Sequence, residues 1–141
     1  MTVKQMIVIR KDLKNTKGEK VRTGKLVAQG CHASNAVLLK NWHKVVLYKL
    51  LYKTKLWFNF ALQSAWFQWI NGSFTKICVY VNNEAELLEV YNKANSMGLP
   101  CALITDKGAT EFGGVPTNTV AAIGPCYPDD LIGITDKLNL L

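Results

Sequence analysis

Three polar side chains recur at helical spacing early in the chain. Lys25, Gln29 and His32 stand at positions i, i+4 and i+7, which places them on one face of a helix. A cation, an amide and an imidazole in one row can hold a phosphate or a ribose, so the row is a candidate site. A solvated helix face with a structural histidine produces the same pattern, and the role of His32 therefore stays open.

A second polar cluster runs from Asp106 to Thr110, directly after a predicted strand. Strand ends in α/β proteins are where ligands collect. Asp106 can activate water or orient a cation, Thr110 can donate a hydrogen bond, and Gly108 lets the backbone approach a ligand. Ordinary turn chemistry also produces Asp-x-Gly. The sequence has no P-loop, HExxH, Gly-x-Ser-x-Gly or dinucleotide fingerprint that would assign another chemistry.

Alternating strand and helix signals predict the elements that position these side chains. Apolar runs predict strands at 3–10, 76–81, 101–105 and 119–123, the last ending at Gly124-Pro125. Helices are predicted from Thr23, which caps the first, to about residue 40, from Asn83 to residue 97, and from Pro128 onward. The link between the last two strands is short for a helical crossover. The order predicts an α/β fold in one domain, residues 1–141: a three-layer-like sandwich with a mixed four-stranded sheet flanked by helices.

Residues 42–72 form an aromatic-rich segment that contains all four tryptophans. Asn and Gln interrupt its uncharged part, so no clean apolar run of about 20 residues exists, and a membrane span is rejected. The pattern predicts a helical arm that ends at Asn71-Gly72. Its aromatics can pack on the core, coat an interface, stack on bases or bind a membrane surface.

Positive charge is concentrated in the first half of the chain. Residues 1–75 contain 13 Lys and Arg against two acids, a net of +11, whereas residues 76–141 have a net of −4. Such asymmetry indicates a polyanion or an anionic membrane surface as partner. A basic face that merely keeps the protein in solution is the alternative.

The four cysteines indicate a reducing compartment. They form no CxxC pair and match no zinc spacing, so no metal site is predicted. Cys78 and Cys101 lie in apolar runs and are expected to be buried thiols. With no secretory signal in the first residues, we expect a cytoplasmic protein.

Four separated motifs resemble the type 2 peptidyl-tRNA hydrolases. They are KQMIVIRKDL (4–13), GKLVAQGCHAS (24–34), TDKGAT (105–110) and TVAAIGP (119–125), and residues 132–141 also look like the family ending. The resemblance covers nearly the whole chain except residues 42–72. The sequence departs from the family pattern in two places. Ala109 occupies a position where many members carry a larger, often basic, residue, and the aromatic arm is longer or more apolar than is usual in the family.

The resemblance implies hydrolysis of the ester that joins a peptide to the terminal ribose of tRNA, with no cofactor and no metal. It also implies a homodimer that acts in translation and ribosome rescue. The candidate catalytic residues are Lys25, His32, Asp106 and Thr110. The candidate substrate-binding residues are Gln29, Ser34, Gly108, Lys14, Lys17, Lys20 and Arg22. Which residue is the general base stays open, and a non-enzymatic RNA-binding module that uses the same basic face is the alternative function.

Overall fold

The computed structural model describes residues 2–55 and 59–141 of the chain. At its centre is a four-stranded sheet of β1 (Lys4–Arg10), β2 (Lys76–Val81), β3 (Cys101–Asp106) and β4 (Thr117–Cys126). The strand order is β2-β1-β4-β3, with β1 and β2 parallel and β4 antiparallel to both neighbours. The predicted mixed sheet is confirmed, and the antiparallel β3–β4 pair explains the short link between these strands.

Helices lie on both faces of this sheet. They are α1 (Thr23–Lys40), α2 (Trp42–Thr54), α3 (Asn59–Leu62), α4 (Ala65–Asn71) and α5 (Glu84–Ser96). On β1, Met6 and Val8 pack in the core on the side of α5, whereas Ile7 and Ile9 pack on the side of α1 and α4. Because successive strand residues point to opposite faces, the apolar run of β1 is buried on both sides, as in a three-layer α/β sandwich.

The predicted end of the last strand at Gly124-Pro125 is wrong, because β4 continues to Cys126. The Gly124 N–H donates to the Pro100 carbonyl at 2.7 Å, and Gln5 Nε2 donates to the Gly124 carbonyl at 3.1 Å. An irregular register in β1 beside this point accommodates the glycine, whose φ of +103° suits few other residues. The strand therefore passes through a dipeptide that normally marks a turn.

The predicted last helix is also wrong. Pro128–Leu131 forms a single 3₁₀ turn, after which Ile132 is extended and Gly133 adopts a φ of +76°. The chain then returns to the outer edge of β2, where the Leu141 N–H donates to the Cys78 carbonyl at 3.1 Å. The final residues cover part of an exposed strand edge instead of forming a helix.

Two predictions about single residues need correction. Thr23 does not cap α1, since the helix begins at Thr23 and Arg22 occupies the capping position without a side-chain bond. Cys101 is buried as predicted, but Cys78 is exposed. Cys78 lies on the edge strand β2, where α1 leaves an open groove beside it.

The segment 42–72 is helical as predicted, but it is divided into α2, α3 and α4. Trp66 and Trp69 of α4 are buried against the sheet, and Trp69 Nε1 donates to the Thr75 carbonyl at 2.8 Å. Trp42 of α2 is 57% exposed. Trp57 and Phe58, two aromatic residues of the predicted arm, lie outside the described residues. None of the described helices has the length and apolarity needed to cross a bilayer.

We predict that Trp69→Ala destabilises the protein strongly. The side chain is 1% exposed and packs edge-to-face on Trp66, so truncation leaves a cavity and removes the bond to Thr75. The expected loss is about 3–5 kcal/mol of unfolding free energy, measured by urea denaturation. Trp42→Ala is the control and should change this free energy far less. Equal losses for the two variants would show that α4 is not part of the core.

Candidate functional site

The two polar clusters from the sequence meet where the first turn of α1 faces the end of β3. Lys25 Nζ donates to Asp106 Oδ2 at 2.7 Å and to Thr110 Oγ1 at 3.3 Å. The Lys25 and Asp106 side chains are only 13% and 15% exposed. Two segments separated by 80 residues of sequence thus form a mostly buried ion pair at the end of the sheet.

The described residues give the Asp106 carboxylate three hydrogen bonds, each from a donor that the fold holds in place. Oδ2 accepts from Lys25 and also from Gln29 Nε2 at 2.8 Å, and Oδ1 accepts from the Gly108 N–H at 2.8 Å. Gly108 has a φ of +78°, and a Cβ there would collide with the Val115 backbone. Glycine is therefore required for the turn that points this N–H at the carboxylate.

These contacts determine the charge of Asp106. Desolvation by itself raises the pKa of the carboxyl group, but the hydrogen bonds from Lys25, Gly108 and Gln29, with the Lys25 charge, hold that pKa below its usual value. Asp106 is therefore ionised at neutral pH. A carboxylate held in this way orients neighbouring groups better than it removes protons.

Thr119 completes the network and was missed in the sequence analysis. It lies on β4, is fully buried, and its Oγ1 donates to Gln29 Oε1 at 2.6 Å. Because this bond occupies the amide oxygen, the Gln29 amide nitrogen must point at Asp106. The available sequence signal was a single hydroxyl residue at the start of an apolar strand.

Lys25 retains hydrogen-bonding capacity toward a substrate. An ammonium group has three N–H donors, and the described residues use two of them, on Asp106 and Thr110. The ammonium also lies 5.4 Å from the ring centre of Phe112. The side chain is therefore fixed on three sides, with one donor left for a developing negative charge.

The predicted phosphate-binding residues lie beside this network. A cleft of about 330 Å³ is lined by Lys17, Lys20, Arg22, Thr110 and Glu111, among others. Arg22 Nε donates to Glu111 Oε1 at 2.8 Å, and this hydrogen bond lowers the pKa of the Glu111 carboxyl group. Arg22 thus forms an ion pair with a buried acid that the sequence analysis did not identify as a candidate.

The lysines of the loop between β1 and α1 are available to a ligand. Lys14, Lys17 and Lys20 are exposed, and none of them forms an ion pair in the described part of the chain. A backbone bridge between Lys14 and Lys20 holds the loop as a tight turn. The loop therefore presents three free cations next to the cleft.

His32 and Ser34 are not brought into the network. His32 is exposed, and no hydrogen bond joins it to Asp106 or Lys25 among the described residues. Ser34 is buried and donates to Gln5 Oε1 at 2.7 Å beneath α1. The structure therefore gathers Lys25, Gln29, Asp106, Gly108 and Thr110, and it leaves these two side chains elsewhere on the helix.

Known proteins are similar to this chain over nearly its whole length. A model of the family described as peptidyl-tRNA hydrolase PTH2 matches residues 3–141. A peptidyl-tRNA hydrolase of Methanococcus vannielii is 36% identical over 137 residues, 97% of each chain. One of Sulfolobus acidocaldarius is 34% identical over 139 residues, 99% of this chain and 100% of the relative. The probable peptidyl-tRNA hydrolase 2 of Dictyostelium discoideum is 32% identical, covering 97% of this chain and 54% of the relative.

We predict that Asp106 contributes stability that disappears in acid. Its pKa is lower in the folded protein than in the unfolded chain, so its contribution is present above the unfolded value of about 3.9 and is lost as the pH falls through the folded value. The difference in unfolding free energy between wild type and Asp106→Asn should be largest at neutral pH and shrink below about pH 4. Denaturation across pH measures it, with the exposed Asp129→Asn as control. A difference that does not change with pH would show that the ion pair does not stabilise the fold.

Proposed function

This chain belongs to the peptidyl-tRNA hydrolase PTH2 family, and we propose that it hydrolyses peptidyl-tRNA at the site where Lys25, Gln29 and Asp106 meet. Water adds to the carbonyl carbon of the ester, the bond to the terminal ribose oxygen breaks, and that oxygen takes up a proton. The products are a free peptide and a reusable tRNA. The observation that supports this site is a mostly buried ion pair whose lysine keeps one N–H donor that no described residue uses.

Lys25 is proposed to stabilise the oxyanion. As water adds, negative charge develops on the carbonyl oxygen, and a fixed cation outside bulk water stabilises this charge strongly. Asp106, Thr110 and Phe112 hold the ammonium in place before the substrate arrives. Little reorganisation is then needed during the reaction.

Asp106 is proposed to orient rather than deprotonate the water. Its Oδ1 accepts one hydrogen bond among the described residues, from Gly108, and a carboxylate oxygen can accept a second. The lowered pKa makes Asp106 a weak base, which favours positioning over proton removal. Gln29, fixed by Thr119, holds the other oxygen and so sets the angle of the carboxylate.

The tRNA is proposed to lie along the basic loop. Lys14, Lys17 and Lys20 carry uncompensated charge beside the cleft that leads to Thr110. Phosphates of the acceptor end neutralise such cations and release counterions. Gly108 and Thr110 then border the terminal ribose. Binding of this kind does not depend on contacts to particular bases of the tRNA.

The cellular setting follows as a further part of the proposal. Hydrolysis of peptidyl-tRNA recycles tRNA for translation and fits a role in ribosome rescue in the cytoplasm. We also propose a homodimer, as the family resemblance implies. Light scattering after gel filtration measures the dimer, and a monomer at micromolar concentration would refute it.

Purified protein with N-blocked aminoacyl-tRNA and with the unblocked form tests the activity. We expect release of the blocked amino acid from the first substrate and little from the second. A protein that binds both tRNAs equally and cleaves neither would be the non-enzymatic RNA-binding module. Cleavage that persists in Lys25→Ala and Asp106→Asn would keep the activity and reject the site.

We predict that Lys25→Ala lowers kcat by about 10²–10³-fold while the protein stays folded, because it removes the donor aimed at the oxyanion. The control is Lys137→Ala, which removes an exposed lysine elsewhere. Thermal melting checks the fold of both variants. Wild-type kcat in Lys25→Ala would exclude the role, and loss of the folded state would make the residue structural.

We predict that Asp106→Asn lowers turnover by about two orders of magnitude and leaves tRNA affinity nearly unchanged. An amide has a single acceptor oxygen and no charge, so it can keep either the bonds from Lys25 and Gln29 or the bond from the Gly108 N–H, but not both. Single-turnover hydrolysis and tRNA binding measure the two quantities. An undiminished rate would show that Asp106 serves only the turn.

We predict that tRNA binding weakens with salt and depends on the basic loop. Replacing Lys14, Lys17 and Lys20 together by Ala should raise KM more than it lowers kcat, and it should flatten the slope of log affinity against log salt by about two to three. The matched control replaces Lys49, Lys53 and Lys55, three exposed lysines around the end of α2. Equal losses in the two triple variants would mean that no defined surface binds tRNA.

A further inference from the structure

We propose that the outer side of α2 binds an anionic membrane surface. This side carries four apolar residues with large exposed fractions: Trp42 (57%), Val46 (50%), Leu47 (47%) and Leu50 (55%). Their spacing places them on one side of the helix, in a stripe about 140° wide that also contains the exposed Lys53. The inference is separate from the proposed hydrolysis, because no residue of the stripe belongs to the catalytic network.

The opposite side of α2 is the one that docks on the protein. Val45 is buried there, Tyr48 packs edge-to-face on Phe67 with ring centres 6.0 Å apart, and Asn71 Nδ2 donates to the Tyr48 carbonyl at 3.2 Å. The helix is therefore held by its inner side. Since the stripe lies away from these contacts, its apolar side chains stay exposed to solvent in the described part of the chain.

The charge around the stripe fits an anionic partner. Lys49 and Lys53 of α2 are exposed, as are Lys40 before it and Lys55 after it. In the described residues none of these four forms an ion pair, and residues 20–83 contain no Asp or Glu. Apolar side chains with Trp beside a row of lysines are typical of helices that lie in the interface of a membrane with anionic lipids.

Other occupants fit these observations less well. In a symmetric dimer through this side, the lysines of one copy would face the lysines of the other without acids to compensate them. An RNA would neutralise the lysines but would leave Val46, Leu47 and Leu50 without an apolar partner. The stripe also begins beyond the C-terminal end of α1, whereas Lys25 lies in the first turn of that helix, about 22 Å away along its axis.

Vesicle co-sedimentation of the full chain tests the proposal, with phosphatidylcholine vesicles containing phosphatidylglycerol compared with phosphatidylcholine alone. We expect binding to the anionic vesicles only, and it should persist with excess tRNA. Leu50→Glu should lower the partition coefficient by about tenfold or more, and Lys49→Glu with Lys53→Glu should do the same. Met97→Glu is the matched control, because Met97 is also 55% exposed and lies after α5 on the other side of the sheet.

Several results would overturn the proposal. These are absence of binding to anionic vesicles, equal binding to neutral vesicles, or equal loss in the Met97→Glu control. Competition by tRNA would assign the surface to RNA, and self-association abolished by Leu50→Glu would assign it to a second copy. Hydrolase activity in solution reports the folding of each variant, and the lysine variant keeps the test decisive if Leu50→Glu does not fold.

Discussion

The contact between Lys25 and Asp106 is the constraint on which the site depends. Both side chains are mostly buried, and removing either would leave a charge without a partner in a poorly hydrated place. The pair forms only if α1 begins beside the end of β3. The sheet order meets this condition, because α1 crosses the face of β1, β4 and β3 with its first turn at the end where β1 and β3 finish. The order of the strands therefore brings the two charges into contact.

The same ion pair determines which hydrogen-bonding groups of the site are already occupied. Asp106 gives its acceptor capacity mainly to Lys25, Gln29 and Gly108, so its charge is fixed and its basicity is low. Among the described residues, the donor capacity that remains free belongs to Lys25, and one further acceptor position remains on Asp106 Oδ1. In the proposed hydrolysis, such a site stabilises developing charge with groups that the fold already holds in place, and it relies less on a strong base. Thr119 supports it from beneath, because its hydroxyl fixes the Gln29 amide.

Sequence reasoning selected those residues of the candidate site whose placement depends on local rules. The helical spacing placed Lys25 and Gln29 on one side of α1, and the strand-end rule selected Asp106. Thr119 was missed because its contact depends on β4 lying between β1 and β3, which is a long-range property. Ser34 was a candidate substrate-binding residue within a motif of the resemblance, whereas in the structure its hydroxyl donates to Gln5 Oε1 beneath the helix. Cys78 was expected to be buried because an apolar run does not reveal that its strand is an edge.

The ion pairs show how the basic first half of the chain and the acidic second half contact each other. Three of the four ion pairs in the described residues join a cation of the basic half to an acid of the other half: Arg10–Glu84, Arg22–Glu111 and Lys25–Asp106. Each of these cations lies near the ends of β1 and β3 or the start of α1. The acids of the second half thus hold these cations in place at this end of the sheet. In the part of the chain that the structure describes, the lysines of the basic loop and of α2 have no such partners, and their charge remains available to phosphate-bearing ligands on two surfaces separated by the length of α1.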